Sequence, residues 1–306
     1  MAINRASIAK ELLPGLNAVF GIEYGSVDEE HKPLYEIENS DRAFEEEVLF
    51  TGFGAAPVKG EGAAVVYDDA SESYTSRYTN ETVALAFAVT EEAMEDNLYD
   101  TFAKLRAKGL ARAMGSTKQQ KAADLYNNGF TTNQGDGVPM FSAAHPVIGA
   151  GTVTNVTGNA AISEAAIEAA IIQIQKTTDD RGILIGASGV SLHIPTDLMF
   201  TADQLLNTPG ATTLSAGNFN LNDINAVRHL GVLPDGFYVN RRFTDINAWF
   251  IKTDVPNGTK MFNRTPSSRS PKPSEKRFIK PIKLRASSSG GFRPSFKNVS
   301  PSKITN

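Results

Sequence analysis

Cysteine is absent from the sequence. That excludes a disulfide-stapled scaffold, a thiolate zinc site and a cysteine nucleophile. Histidine is scarce: His31, His145, His193 and His229 stand singly and far apart, so a histidine-built metal centre is not expected. No stretch approaches the roughly 18–20 uninterrupted apolar residues that cross a bilayer. The opening residues, MAINRASIAKELLPGL, lack the basic-then-apolar layout of a secretory signal. These absences lead to the expectation of a soluble, cytosolic chain. Chemical signatures are missing too: there is no glycine-bounded phosphate loop ending in Lys and Ser/Thr, no GxSxG nucleophile elbow and no HExxH.

What the sequence does have is bulk and an uneven spread of charge. Its 306 residues are 41% hydrophobic, enough for the core of one large or two modest domains. Formal net charge is −4, yet residues 264–306 hold eleven Lys/Arg against one acid, Glu275, leaving 19 basic and 33 acidic residues elsewhere. Ten serines and six prolines share that basic stretch. Proline removes backbone donors and like charges repel, so the stretch reads as a disordered tail or as a basic arm that neutralises phosphates. The acidic remainder argues against a nucleic-acid binder as a whole. Residues 23–47 carry ten acids against Lys32 and Arg42, which reads as a solvated, extended segment.

A glycine-rich segment, FTGFGAAPVKGEGAAVVYDD, comes next. Beyond it Tyr74, Ser76 and Tyr78 alternate with Thr75, Arg77 and Thr79, and Val83, Leu85, Phe87 and Val89 continue the period of two. The pattern predicts an extended hairpin over 44–89, too poor in large apolar residues to hold itself together. Thr90, followed by Glu91 and Glu92, is the expected N-cap of a helix whose apolar face is Met94, Leu98, Phe102 and Leu105. Lys104, Arg106, Lys108, Arg112, Lys118 and Lys121 crowd its second half, where cations suit the helix dipole, and Asn128-Gly129 offers a stop. If unbroken at Gly115-Ser116, the helix runs about 35–40 residues, or roughly 55 Å.

The middle region predicts a mixed α/β unit. Ser163 caps a helix with Ile167, Ile171 and Ile174, ending near Lys176, and Asp179-Asp180-Arg181-Gly182 forms a turn. Strands are expected at Ile183–Ile185, Val190–Ile194, Val227–Val232, Phe237–Val239 and Ala248–Lys252. A helix is expected from Pro195-Thr196 through Leu205 to Pro209-Gly210. Trp249, the one tryptophan, reads as a core anchor.

Candidates for chemistry are few, and each has an ordinary explanation. Gly52-Phe53-Gly54-Ala55-Ala56-Pro57 starts like a dinucleotide loop, but Pro57 stands where the last glycine belongs. His145 could serve as a base, yet it reads first as a surface or capping histidine, because no nucleophile or orienting acid stands near it in sequence. His193, in SLHIP, reads as a packed or hydrogen-bonded strand residue. Asp68-Asp69 and Asp179-Asp180 could ligate calcium, though neither lies in an EF-hand loop. No catalytic, cofactor-binding or metal-binding residue is assigned, and no cofactor is expected.

The order of these elements resembles the tailed-bacteriophage major capsid (major head) proteins, and within them the Mu-like head subunits. The likeness is carried by the hairpin Phe44–Val89, the run TEEAMEDNLYDTFAKLRAKGLARAM with its ending AADLYNNGF, the block LHIPTDLMFTADQLLNT and the segment TDINAWFIKTD; it covers about residues 5–263. It implies an α+β, Hong Kong-97-type capsid fold with an N-terminal arm, an extended β-hairpin loop, a long spine helix, and peripheral and axial domains. The division implied is 1–43 for the arm and acidic segment, 44–89 for the extended loop, and 90–142 for the peripheral domain with its spine helix. Residues 143–240 form the axial domain, 241–263 return to the peripheral domain, and 264–306 are the basic Ser/Pro-rich tail, disordered or non-native.

The function implied is structural, not enzymatic: a subunit that self-assembles through pentamers and hexamers into the icosahedral head shell enclosing the phage genome. Its partners are then copies of itself, a scaffold or head-maturation protease, portal and decoration proteins, and packaged DNA held non-specifically, with no membrane. Its place is the virion capsid, assembled in the bacterial host cytoplasm. Some relatives cross-link a loop lysine to an asparagine, and Lys59 stands near that place without a matched asparagine. Two alternatives remain open: an encapsulin-like bacterial compartment shell, and a soluble α/β hydrolytic enzyme using His145 or an acidic pair. Family members continue past TDINAWF with strands that complete the peripheral sheet. Here the chain turns at about Thr265 into SSRSPKPSEKRF, so the tail is expected to lie outside the ancestral fold, as after a frame change.

Overall fold

The computed structural model describes residues 8–69, 71–87, 99–147, 151–158, 160–208, 224–255, 258–264 and 282–288. Helix α1 (Ile8–Gly25) packs on helix α2 (Tyr99–Asn127), with Phe20 against Ala111 and Met114. Among the described residues the buried ones of α2 include Ala103, Ala107, Ala111, Met114, Lys118, Gln119, Ala122, Ala123 and Tyr126. Their spacing of three and four puts them on one face. The described part of that face is a stripe of alanines: of the expected apolar row Leu105 is 66% exposed, while Met94, Leu98 and the Phe102 side chain lie outside the described residues, as does the expected cap Thr90. Small side chains let neighbouring chain segments approach the helix axis closely. Gly115 does not break the helix but serves this approach, since a Cβ there would sit 2.9 Å from Val27 Cγ2. The described helix has 29 residues, about 44 Å at 1.5 Å per residue.

The acidic stretch is solvated, as its composition predicts, with Asp28, Glu36 and Asp41 among its exposed acids, but ion pairs also anchor it to the rest of the chain. Glu23 pairs with Arg112 at 2.6 Å, Glu29 with Lys118 at 3.4 Å, and Glu30 with Arg241 and Arg242 at 2.9 and 3.1 Å. The cations of α2 therefore act sideways as clips for a strap, and none lies in the last turn of the helix.

Strand β1 (Glu36–Ser40) continues the strap. It pairs in parallel with β10 (Thr259–Arg264), which pairs antiparallel with β11 (Ile282–Ser288), which in turn pairs antiparallel with β4 (Glu81–Val83). Placing β11 in this sheet corrects the expectation that everything after Arg264 stands outside the fold. Its run Ile282-Lys283-Leu284-Arg285 alternates apolar with basic residues, a strand pattern hidden by the surrounding serines and prolines. The second half of the expected hairpin is also corrected. After β4 the chain has no strand at 84–87, and Val89 lies outside the described residues.

The α/β unit forms largely as its sequence predicts. Helix α3 (Glu164–Gln175) is capped by Ser163, whose hydroxyl accepts from the Ala166 N–H. Strand β7 (Gly189–Ile194) lies between β8 (Phe237–Val239), parallel to it, and β9 (Phe250–Thr253), antiparallel. A 3₁₀ turn, Thr196–Leu198, leads into helix α4 (Met199–Asn207); Pro209 and Gly210 lie outside the described residues. Two expected strands are absent. Residues 226–230 form helix α5 (Ala226–Leu230), because Asn225 caps it and Gly231 closes it at φ +60°. Residues 183–185 contribute one bridge, Thr178 to Leu184.

Two cores meet at β9. Ile251 and Trp249 enter the α/β core with Ile167, Ile174, Leu192 and Ile194. Phe250 points the other way, into an aromatic cluster around Tyr126 with Tyr35, Phe141 and Phe243. Alternation along one strand thus sews the two bodies together. The expected anchor role of Trp249 holds: it is buried, and its indole N–H donates to the Ala160 carbonyl at 3.1 Å.

His31 sits fully buried where the strap crosses α2, with its backbone N–H and Nδ1 both against Gln119 Oε1. Burial, then the Lys118 ammonium, pushes its pKa below the ordinary value; the Gln119 contact and Glu29 oppose this and Lys32 adds to it. A neutral histidine therefore favours the folded state above the unfolded-state value of about pH 6.5, and this contribution is lost as pH falls through the lower folded value. Amide exchange of residues 27–35 measured between pH 7.5 and 5.5 should show the strap loosening on acidification, and the His31→Gln variant should lose most of that dependence. An unchanged slope in the variant would contradict the assignment.

Candidate functional site

Strands β2 (Phe44–Phe50) and β3 (Glu72–Thr79) form an antiparallel hairpin with Phe44 opposite Thr79 and Val48 opposite Thr75. Its polarity is inverted. Glu45 and Glu47 face the body of the chain, while Phe44, Val48 and Phe50 face outward at 44%, 38% and 62% exposure. On β3 the inward row is Tyr74, Ser76 and Tyr78, as the period of two predicts. Beyond the strands, the glycine-rich loop exposes Phe53, Val58, Val65, Val66 and Tyr67, with Val58 at 100% and Tyr67 at 93%. Single exposed apolar residues need no explanation, but this many on one hairpin and its loop mark a candidate contact surface.

The inward face explains how the inversion is held. Lys260 on β10 is buried and donates to Glu47 at 2.6 Å, with Glu38 at 3.3 Å. Burial works against the ammonium, but Glu47 and then Glu38 outweigh it and raise its pKa. The Tyr78 hydroxyl donates to Glu47 Oε2 at 2.8 Å, and its ring packs on Phe262 at 5.2 Å. On the outer face Arg77 pairs with Glu46 at 2.6 Å and covers the Phe44 ring at 4.6 Å.

At the base of the loop, Thr51 and Ser71 close the neck through Thr51 N–H to Ser71 O at 2.9 Å and Ser71 N–H to Thr51 Oγ1 at 2.8 Å. Here the structure brings together the two acidic pairs that the sequence keeps apart. Asp179 Oδ2 and Asp180 Oδ1 lie 3.7 and 4.0 Å from where a Gly52 Cβ would be. Arg181 reaches the Asp69 carbonyl at 2.8 Å and Asp68 at 3.6 Å. A guanidinium thus faces the Asp68-Asp69 pair, and among the described residues no group of three or more acidic or histidine side chains could hold a metal. Nothing in the sequence near Arg181 signals this contact, which depends on the fold alone.

His145 is not at the surface. Its Nδ1 lies 2.7 Å from Asp136 Oδ2, and the two side chains are only 7% and 4% exposed. An orienting acid is therefore present, nine positions upstream, but the pair is closed to substrate and ties the 136 loop to β5 (His145–Pro146). His193 is buried, 3.0 Å from Ser191 Oγ and stacked on Tyr238, a packed strand residue as expected. No described helix is long and apolar enough to cross a membrane.

A family model described as phage capsid protein matches residues 72–277. The match runs through Arg277, so the likeness does not stop at Thr265, where the composition changes. A chain in the procapsid of bacteriophage JBD30 aligns at TM-score 0.52 and 15% identity, covering 71% of this chain and 97% of that one. The bacteriophage JBD30 capsid gives 0.52 at 11% identity, with 69% and 89% covered. At these identities the likeness is one of fold. No curated protein matches the chain.

Lys260→Ala should detach the hairpin from β10 and cost about 2 kcal/mol, because it strips the part-buried Glu47 carboxylate, and the more exposed Glu38, of their cation. Denaturant unfolding measures the cost, and faster proteolysis within 44–79 locates it. A variant as stable and as resistant as the parent would contradict the role given to Lys260.

Proposed function

The chain belongs to the phage capsid protein family, and on that premise we infer that it is a major head subunit, copies of which close into the icosahedral shell around a phage genome. The observation that carries this is the exposure of the outward apolar row of the hairpin and its loop, Phe44, Val48, Phe50, Phe53, Val58 and Tyr67, which the described residues leave largely open. A second copy covers it. Isolated two-stranded hairpins are marginal in water, and heterologous contacts repeated around rotation axes close a shell.

In this reading residues 44–89 lie over a neighbouring subunit, α2 is the spine of the peripheral domain, and 143–240 is the axial domain that meets its copies in pentamers and hexamers. Exposed Phe200 and Leu230, at 74% and 73%, suit such contacts. Decoration, portal and scaffold or protease partners, and packaged DNA against the basic tail, follow from the same role, as does assembly in the host cytoplasm. The role is structural rather than enzymatic, and the closed His145–Asp136 pair supports that against the hydrolytic alternative.

Val58→Asp and Tyr67→Asp should leave folding unchanged, since both residues are almost wholly exposed, while abolishing large particles in light scattering and negative-stain microscopy. Particles formed as readily by the variants as by the parent would remove the hairpin from the assembly mechanism.

A further inference from the structure

We propose that Arg181 is a latch that stows the extended loop against the chain's own α/β unit before assembly, so that the loop must be released before it can dock on a second copy. This rests on the reading of the chain as a shell subunit. Three observations place the latch. The Arg181 guanidinium donates to the Asp69 carbonyl at 2.8 Å and lies 3.6 Å from Asp68. Asp68 Oδ2 in turn accepts the Gly54 N–H at 2.7 Å, tying the two limbs of the loop together at the point that Arg181 holds. The turn that carries Arg181 is itself rigid: Asp179 Oδ1 accepts the N–H groups of Arg181 and Ile183, and Gly182 takes φ +81°.

The same geometry makes the latch releasable. Arg181 and Asp68 remain 32% and 42% exposed, and ion pairs at such exposure contribute little. Asp179 and Asp180 approach the Gly52 position at the neck of the loop, and Asp180 Oδ2 is buried without a partner among the described residues. Stowing leaves much of the loop's apolar surface open, since Val58 stays fully exposed and Phe53 is 65% exposed. The latch thus holds the loop by polar contacts at Asp68 and Asp69 and keeps most of its adhesive face unspent. Salt weakens such a contact by screening, whereas it leaves apolar docking intact.

The test is hydrogen exchange by mass spectrometry on the full-length chain, kept unassembled at low concentration, alongside assembly followed by light scattering. Arg181→Ala should speed exchange across residues 52–68 about fivefold, and Arg181→Lys should fall between the two. Arg181→Ala should also assemble at about a third of the protein concentration that the parent requires, with the difference shrinking at high salt. Unchanged loop exchange, or an Arg181→Ala chain that assembles less readily than the parent, would overturn the latch. Faster exchange in a chain that never assembles, parent included, would leave the latch standing and overturn the shell reading instead.

Discussion

The buried ammonium of Lys260 decides which way the hairpin faces. In a strand, a shift of one residue sends every side chain to the opposite face. Glu47 and Glu38 converge on Lys260, and Tyr78 converges on Glu47, so that slip would turn Phe44, Val48 and Phe50 inward and carry Glu45 and Glu47 outward, taking Glu47 from its cation. The register is therefore fixed by charge on the inner face, and the apolar outer face is a consequence. The pattern looks misplaced in one chain, and a second copy over this face, as proposed, would turn it into ordinary burial.

The same economy of charge runs through the rest of the molecule. The acidic stretch and the basic long helix look, in sequence, like two solvated features, and in the structure each neutralises the other. Glu23 finds Arg112, Glu29 finds Lys118, and Glu30 reaches forward to Arg241 and Arg242. These pairs align a strap that has few apolar residues of its own, while Leu34, Tyr35 and the alanine stripe supply the packing. The result is a subunit whose long helix is gripped from one side and whose projecting hairpin is tethered at its base and open beyond it.

Much of this was legible from local signals. Ser163 as a cap, the turn at Asp179–Gly182, β7 and β8, the anchor role of Trp249 and the inward row Tyr74, Ser76, Tyr78 each follow from spacing or turn chemistry over a few residues. The misreadings have two causes: partners that only the fold brings together, and local signals that outweigh the apolar pattern of a segment. Leu105 scores as a face residue until alanines elsewhere on the helix win the packing. Residues 226–230 alternate enough to read as strand until Asn225 and Gly231 close them as a helix. His145 has no acid beside it in sequence because Asp136 arrives from across a loop, and Arg181 meets Asp68 and Asp69 only through the fold. The basic tail hid β11, because serine, proline and charge dominate its composition while the strand occupies seven residues of it.

The central claim is that the outward face of the extended loop is covered by another copy of the chain. The absence of cysteine allows a direct measurement, since Val58→Cys would carry the sole thiol in the protein. Its rate of reaction with a soluble maleimide, compared between unassembled chain and purified particles, reports the cover at that point. The account predicts a thiol that reacts freely in the unassembled chain and about tenfold or more slowly in the particle, as burial against a neighbour requires. Equal rates in the two states would contradict it.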